Sequence, residues 1–354
     1  MNGHFFIPKL YDIMTFKKEY KNMKLQLTLN SLALILCCGD LIPSSTQPIS
    51  TQEWQEIEKK LKSAHKEPSM ITGMSIDTLT QIIGLDEFTA HKIEKRQKLL
   101  PDLFYALQNL ENQDIGVTTI YEEDYPASLR VLGTKMPLVI SYIGDLSLSY
   151  GVNISVAGPQ MMNKTMRHVT KEIMKKISKE GYTVVVGGSK GVEELALRTQ
   201  LTNNGNAVLF VADHMFDKIR LYSKYIKQNK LVIMTANDPY ALFDVTHALD
   251  KNLYICGMVF AQIVTGTHIG SGPVWFTSIQ NIHSHWTRQL VYETLDYSGN
   301  IRLIEMGEAH FTDEDLKSEV PLAEILDNHE TVIKKDDPSI DQMTIFEFIE
   351  DKHE

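Results

Sequence analysis

Between residues 152 and 306 the chain alternates short β-branched runs with amphipathic stretches. This alternation constrains the fold more than any other feature. "NISVAG" is followed by "KTMRHVTKEIMKKISKEG", in which Met166, Val169, Ile173 and Ile177 recur at helical spacing and Gly181 stands past the end. "YTVVVGG" follows, then "VEELALRTQLTNNG", "NAVLFVAD", a helical stretch near 215–228 and "LVIMT". Asp238 as N-cap and Pro239 at the first helical position predict a long helix from there. "MVFAQIVTG", the helix "GPVWFTSIQNIHSHW" and the strands "QLVYE" and "NIRLIEM" complete the series. Strands alternating with helices long enough to cross over imply an α/β fold, an extended Rossmann-like parallel sheet with helices on both faces.

The flanking regions differ in kind. Residues 1–24 read as an N-terminal extension. Residues 25–112 read as a small all-helical domain, with a buried helix in "LTLNSLALILCC" and a second helix that Thr51 would cap. Within it Ile83-Gly84-Leu85 precedes a helix ending in Lys92, Lys95 and Arg96, half of a helix-hairpin-helix pattern. That end reads either as a solvated basic face or as a phosphate contact. The Rossmann-like domain is expected over 113–310, entered through a strand-rich connector at 115–145.

Residues 311–354 hold 14 Asp/Glu against 4 Lys/Arg, and the other 310 residues hold 31 of each sign. The net charge of −10 thus resides in the tail, which is expected to be disordered apart from a short amphipathic end. A neutral body is free to carry a local basic stripe, so net charge does not exclude nucleic acid. Cys37, Cys38 and Cys256 form neither a disulfide framework nor a zinc pattern. The longest apolar run, Leu32–Cys38, is too short to span a bilayer. A cytoplasmic protein without membrane association is expected.

In a doubly wound sheet, ligands sit beyond the carboxyl ends of the strands. Three glycine turns fall there: Gly158-Pro159-Gln160, Gly187-Gly188-Ser189-Lys190-Gly191 and Gly270-Ser271-Gly272. Glycine permits close approach of backbone to phosphate, and a following helix offers free N–H groups. Three such turns on one sheet point to a phosphate-, nucleotide- or DNA-binding face, with Lys190 as its mobile cation. GxxxxGK[ST] is absent, as is GxGxxG at the first strand, so neither a P-loop nor an ordinary NAD site is expected. His283 and His285, two apart on a helix, and the distant His268 do not suggest a metal site, and no cofactor is expected. Trp275, Phe276 and Trp286 read as core residues, with base stacking as the alternative.

The pattern from about residue 30 to 306 resembles the DNA-processing protein A (DprA/Smf) family. The similarity lies in "YEEDYPASLRVLGTKMPLVISYIGDLSL", "ISVAGPQ", "GYTVVVGGSKGVEELALRTQL", "GNAVLFVA" and "GSGPV". The resemblance implies a helical domain joined to a Rossmann-like fold, without enzymatic activity. It also implies single-stranded DNA binding in recombination, by a homodimer, with a recombinase as possible partner. Lys190 stands where that family has a phosphate-contacting arginine, and Ser271-Gly272 match its second anion-binding turn. Gln160 replaces the first-turn arginine and Glu193 an aspartate, and the family's Arg-Asn-Arg run aligns with Thr246-His247-Ala248. A divergent member would serve phage defence or restrain a partner protein encoded nearby.

Other readings stay open. A nucleotide sensor would use the same turns without turnover. A nucleotide phosphoribohydrolase would need a carboxylate that "GSGPVWFTSIQN" does not supply. In the tail, Gln342, Ile345 and Phe346 resemble the short peptide that docks on the bacterial sliding clamp.

Overall fold

The computed structural model describes residues 25–328. The helical region comprises α1 (Leu29–Cys38), α2 (Thr51–Ser63), α3 (Glu87–Gln97) and α4 (Leu100–Glu111), with 3-10 and π turns between α2 and α3. Helix α1 is buried over Ser31–Cys37, as its unbroken apolar run requires. The cap of α2 is Ser50 rather than Thr51: its hydroxyl accepts from the Glu53 N–H and the Glu53 carboxylate accepts from the Ser50 N–H. Either hydroxyl fits a cap on sequence grounds, but only Ser50 stands three before an acid, completing the reciprocal pair.

Arg96, expected at a basic exposed end, is buried at 1% exposure. Its guanidinium donates to the carbonyls of Leu36 (2.6 Å), Gly39 (2.6 Å) and Thr46 (3.0 Å), closing the carbonyl end of α1. Lys92 pairs with Glu53 at 3.1 Å. Two of the three cations of that half-hairpin thus hold the helical region together.

The connector supplies β1 (Gly116–Thr119) and β2 (Val139–Ile143) around a 3-10 segment at Ala127–Lys135. Then come β3 (Asn153–Ala157), α5 (Lys164–Lys179), β4 (Thr183–Val186), α6 (Val192–Thr202), β5 (Ala207–Phe210), α7 (Met215–Lys227) and β6 (Leu231–Thr235). The series continues with α8 (Val245–Met258), β7 (Ala261–Val264), α9 (Gly272–Ser284), β8 (Arg288–Tyr292), α10 (Ser298–Glu305), β9 (Ala309–Phe311), α11 (Asp313–Lys317) and α12 (Leu322–Asn328). The nine strands form one sheet in the order β1-β2-β6-β5-β4-β3-β7-β8-β9. It is parallel from β6 to β9, and β1 and β2 add an antiparallel edge.

The central strands β4, β5 and β6 bury both faces, which is why their sequences run almost wholly apolar. Val184, Val186 and Leu209 face the cluster built on α5 and α6. Val185, Val208 and Phe210 belong to the same cluster as Leu34, Trp54, Ile93 and Leu107, so helical region and sheet share one core across residue 112.

Three sequence expectations give way here. The long helix begins at Val245, capped by Asp244, whose carboxylate accepts from the His247 N–H at 3.0 Å. Asp238 instead closes a turn, its carbonyl accepting from Ala241 N–H at 2.8 Å. "NIRLIEM" is helical, within α10. A strand would bury Ile301 with Leu303, whereas Asn300 and Leu303, one helical turn apart, are buried and Ile301 is 37% exposed. The sheet closes on β9. Finally, residues 313–328, expected to lack structure, form α11 and α12 with Leu322, Ile325 and Leu326 buried. Lys176 donates to the Ser318 carbonyl at 3.0 Å and Glu180 accepts from the Leu322 N–H at 2.9 Å, so α5 anchors this acidic segment.

Candidate nucleic-acid interface

Strand order creates the site. From β3 the chain winds outward through β4, β5 and β6, then crosses back to place β7 on the other side of β3. The β3/β7 boundary is a topological switch point, where crossovers diverge and leave a crevice at the carboxyl ends. The three glycine turns follow β3, β4 and β7, which are adjacent, so residues far apart in sequence meet along one rim.

The first two turns are packed into each other. A Cβ at Gly158 would strike Thr265 Oγ1 and Val192, and one at Gly191 would strike the carbonyls of Pro159 and Gln160. Gly191 has φ +88°, and the Val192 N–H donates to the Pro159 carbonyl at 3.2 Å. Thr265, directly after β7, donates from both its backbone N–H (2.9 Å) and its Oγ1 (3.1 Å) to the Ala157 carbonyl. These glycines let the first two turns close on each other and on Thr265 at the end of β7, while Gln160 and Lys190 are exposed.

The second turn is furnished with more positive charge than its sequence shows. The space a side chain would occupy at Gly187 is filled by the Lys251 ammonium and its stem. Lys251 is 6% exposed, and its Nζ lies 3.4 Å from Ser189 Oγ with no carboxylate in ion-pair range among the described residues. Lys218, on α7, donates to the Gly188 carbonyl at 3.3 Å. Lys190, Lys218 and Lys251 therefore converge on one five-residue turn. Thr246, in the run aligned with the family's Arg-Asn-Arg, lines a separate cavity, and the residue of α8 that reaches the turn is Lys251.

The two helices that start at the rim differ in what they offer an anion. At the start of α6 the Glu193 carboxylate accepts from the Ser189 N–H at 2.9 Å, and Glu194 pairs with Arg198, so acids already occupy the positive helix end. At the start of α9 the cap Ser271 makes no side-chain cap bond and the first turn holds no acid. Gly272 there has φ +80° and open space where a Cβ would sit, and Gly270 has φ +67°. The Ser271 turn is thus the more open anion seat.

A hydrophobic loop beside the rim escaped the sequence reading because it was assigned to a helix. Residues 238–244 leave Tyr240 (55%), Leu242 (74%) and Phe243 (61%) exposed. The Ala241 carbonyl accepts from His214 N–H at 3.0 Å, and the Tyr240 ring lies 4.6 Å from that of Phe216 at the start of α7. The aromatic loop thus packs against the start of the helix that carries Lys218.

Trp275 is buried with Val264, Val291 and Leu303. Among the described residues no group of three or more His, Cys, Asp or Glu is placed to hold a metal ion, and no helix is long and apolar enough to cross a membrane. Gln342, Ile345 and Phe346 lie outside the described residues.

Comparison with known proteins agrees with this fold. The structure is similar to that of DNA processing protein A from Streptococcus pneumoniae, with TM-score 0.65 and 16% identity, over 84% of this chain and 99% of that one. A structure of DNA processing protein A from Helicobacter pylori, described for its single-stranded DNA binding mode, matches 57% of this chain and 92% of its own, with TM-score 0.48 and 15% identity. No match was found among curated proteins. The sequence model of the DNA recombination-mediator protein A family matches residues 116–315, which hold all nine strands of the sheet and more than half of the 354 residues. The chain belongs to the DNA recombination-mediator protein A family.

Proposed function

We propose that the protein binds single-stranded DNA along the carboxyl-end rim of β4, β3 and β7, in the service of recombination. The observation that carries this reading is the convergence of Lys190, Lys218 and the buried Lys251 on one glycine turn at the switch point. A desolvated ammonium without a carboxylate is costly to hold and gains most from a phosphate brought to it. The open Ser271-Gly272 turn supplies a second anion seat. Tyr240 and Phe243 offer faces on which bases stack whatever their sequence, so single strands are favoured over duplex. Glu193 is engaged by the Ser189 N–H, and neither the second nor the third turn presents a free acid placed for ribosyl chemistry.

Fluorescence anisotropy with labelled oligo-dT tests the reading. Binding is expected to weaken steeply with salt, and Lys190→Ala is expected to flatten the log–log slope by about one. Binding that is insensitive to salt, or a Lys190→Ala slope equal to wild type, would overturn it. On this reading the protein is a homodimer that delivers the strand to a recombinase, in recombination or in phage defence. A monomeric mass by light scattering, with and without oligo-dT, would count against the dimer.

A further inference from the structure

A cavity of about 490 Å³ lies where the start of α2, the end of the 3-10 connector, the first three turns of α8 and the middle of α9 meet. Its size falls within the roughly 300–1,000 Å³ of small-molecule sites, and junctions between structural units are where such sites recur. Leu249, Leu253, Tyr254 and Phe276 make its walls mainly apolar. One carboxylate lines it without a hydrogen-bond partner. Asp250 makes no hydrogen bond or ion pair among the described residues. Burial raises the Asp250 carboxyl above its ordinary value, against the opposing pull of His247 and Lys135. A half-buried carboxylate without a hydrogen-bond partner, set in an apolar wall, is matched by an occupant that brings donors.

We propose that this cavity binds a free guanine nucleotide, separately from the strand on the rim. A carboxylate has two oxygens and is matched best by two adjacent, coplanar N–H groups. Guanine presents that pair on its pairing edge. Adenine, cytosine and uracil each place an acceptor where the second donor is required. The flat ring suits walls of leucine and aromatic side chains. Lys135, over the Trp286 ring at 5.3 Å, supplies a cation for the phosphate. Consecutive residues of α8 serve the two places: Asp250 lines the cavity and Lys251 reaches the Gly187 turn.

Isothermal titration of the full chain with GMP, AMP, CMP and UMP tests the proposal. Saturable GMP binding is expected, at least tenfold tighter than the other three, and Asp250→Asn is expected to weaken it at least tenfold. Oligo-dT affinity should be unchanged by Asp250→Asn, and oligo-dT should not displace GMP. Absence of saturable GMP binding, equal binding of all four nucleotides, or displacement of GMP by oligo-dT overturns the proposal. Should Asp250→Asn lose the wild-type melting transition, Leu249→Trp, which fills the cavity, takes its place, and GMP binding retained in that variant overturns the proposal equally. GMP binding in a protein that fails to bind oligo-dT would sustain this site and sink the strand-binding reading.

Discussion

Lys251 shows how a single residue carries opposing demands. Its ammonium is 6% exposed and held by one hydroxyl at 3.4 Å, so the folded protein bears a desolvation cost that a neutral side chain would not. Lys251→Met keeps the stem that fills the space beside Gly187 and removes the charge. Its stability by thermal or denaturant unfolding is expected to rise by about 1 kcal/mol. Its affinity for oligo-dT is expected to fall about tenfold, as befits one lost charge-assisted contact. A variant that is more stable and binds as wild type does would remove Lys251 from the interface. Glu308, beside Gln289, gives a second test at this scale, because burial pushes its carboxyl up to about 7 from an ordinary value near 4.5. The folded state therefore holds the proton more tightly than the unfolded one. The associated stability is fully present below about pH 4.5 and is lost as pH rises through about 7, a difference of about 3 kcal/mol. Glu308→Gln is expected to flatten that part of the pH–stability profile and to raise stability at pH 8. Lys190 and Gln160 were legible in the sequence because they adjoin their glycines. Lys251 was not, since it lies 64 residues after Gly187 and only the crossover from β6 to β7 brings it there.

The strands and their turns are the elements that sequence reveals best, and the glycines within the turns can be ranked by structure. Gly191 and Gly84 both hold positive φ, +88° and +77°. A Cβ at Gly84 meets nothing within 4 Å, whereas one at Gly191 meets the carbonyls of Pro159 and Gln160. Gly84→Ala is therefore expected to cost about 1 kcal/mol, the left-handed penalty alone. Gly191→Ala is expected to cost about 3 kcal/mol or more and to weaken oligo-dT binding, because the first and second turns must separate. Equal melting temperatures for the two variants would mean that the turns are not interlocked. The β-branched runs identified β3 through β8 because buried parallel strands need no alternation. Helix α10 was misread for the complementary reason: its buried face is set by Asn300, whose amide donates to the carbonyls of Thr265 and Tyr292 and whose Oδ1 accepts from the Thr267 N–H. A polar side chain as the anchor of a buried helix face leaves no hydrophobic signal to read. The start of α8 was missed because Asp238-Pro239 carries a stronger local helix signature than Asp244, and the turn closed by Ala241 overrides it.

At the scale of the whole molecule, charge is distributed so that fold and tail have separate consequences. The sequence placed all of the net charge after residue 310, but it did not show that residues 313–328 fold onto the body. Residues 313–328 are held to α5 through Lys176 and Glu180, with Leu322, Ile325 and Leu326 in the core, so their acids belong to the folded body. Residues 329–354 carry eight acids and three lysines. An anionic segment tethered to a protein with a lysine-rich rim competes with phosphates for it, and salt screens that competition over a Debye length of about 10 Å at 0.1 M. Removal of residues 329–354 is expected to tighten oligo-dT binding severalfold at low salt and to leave it unchanged near 0.5 M salt, while preserving the melting temperature. Removal from residue 311 is expected instead to unfold the β9 edge, lowering the melting temperature through loss of the buried Phe311 ring and three buried aliphatic side chains. Anisotropy titrations of both truncations across salt, read beside their melting curves, separate the two effects. Identical low-salt affinity with and without residues 329–354 would show that the terminal acids do not act on the rim, and any regulation by the tail would then have to run through something other than charge.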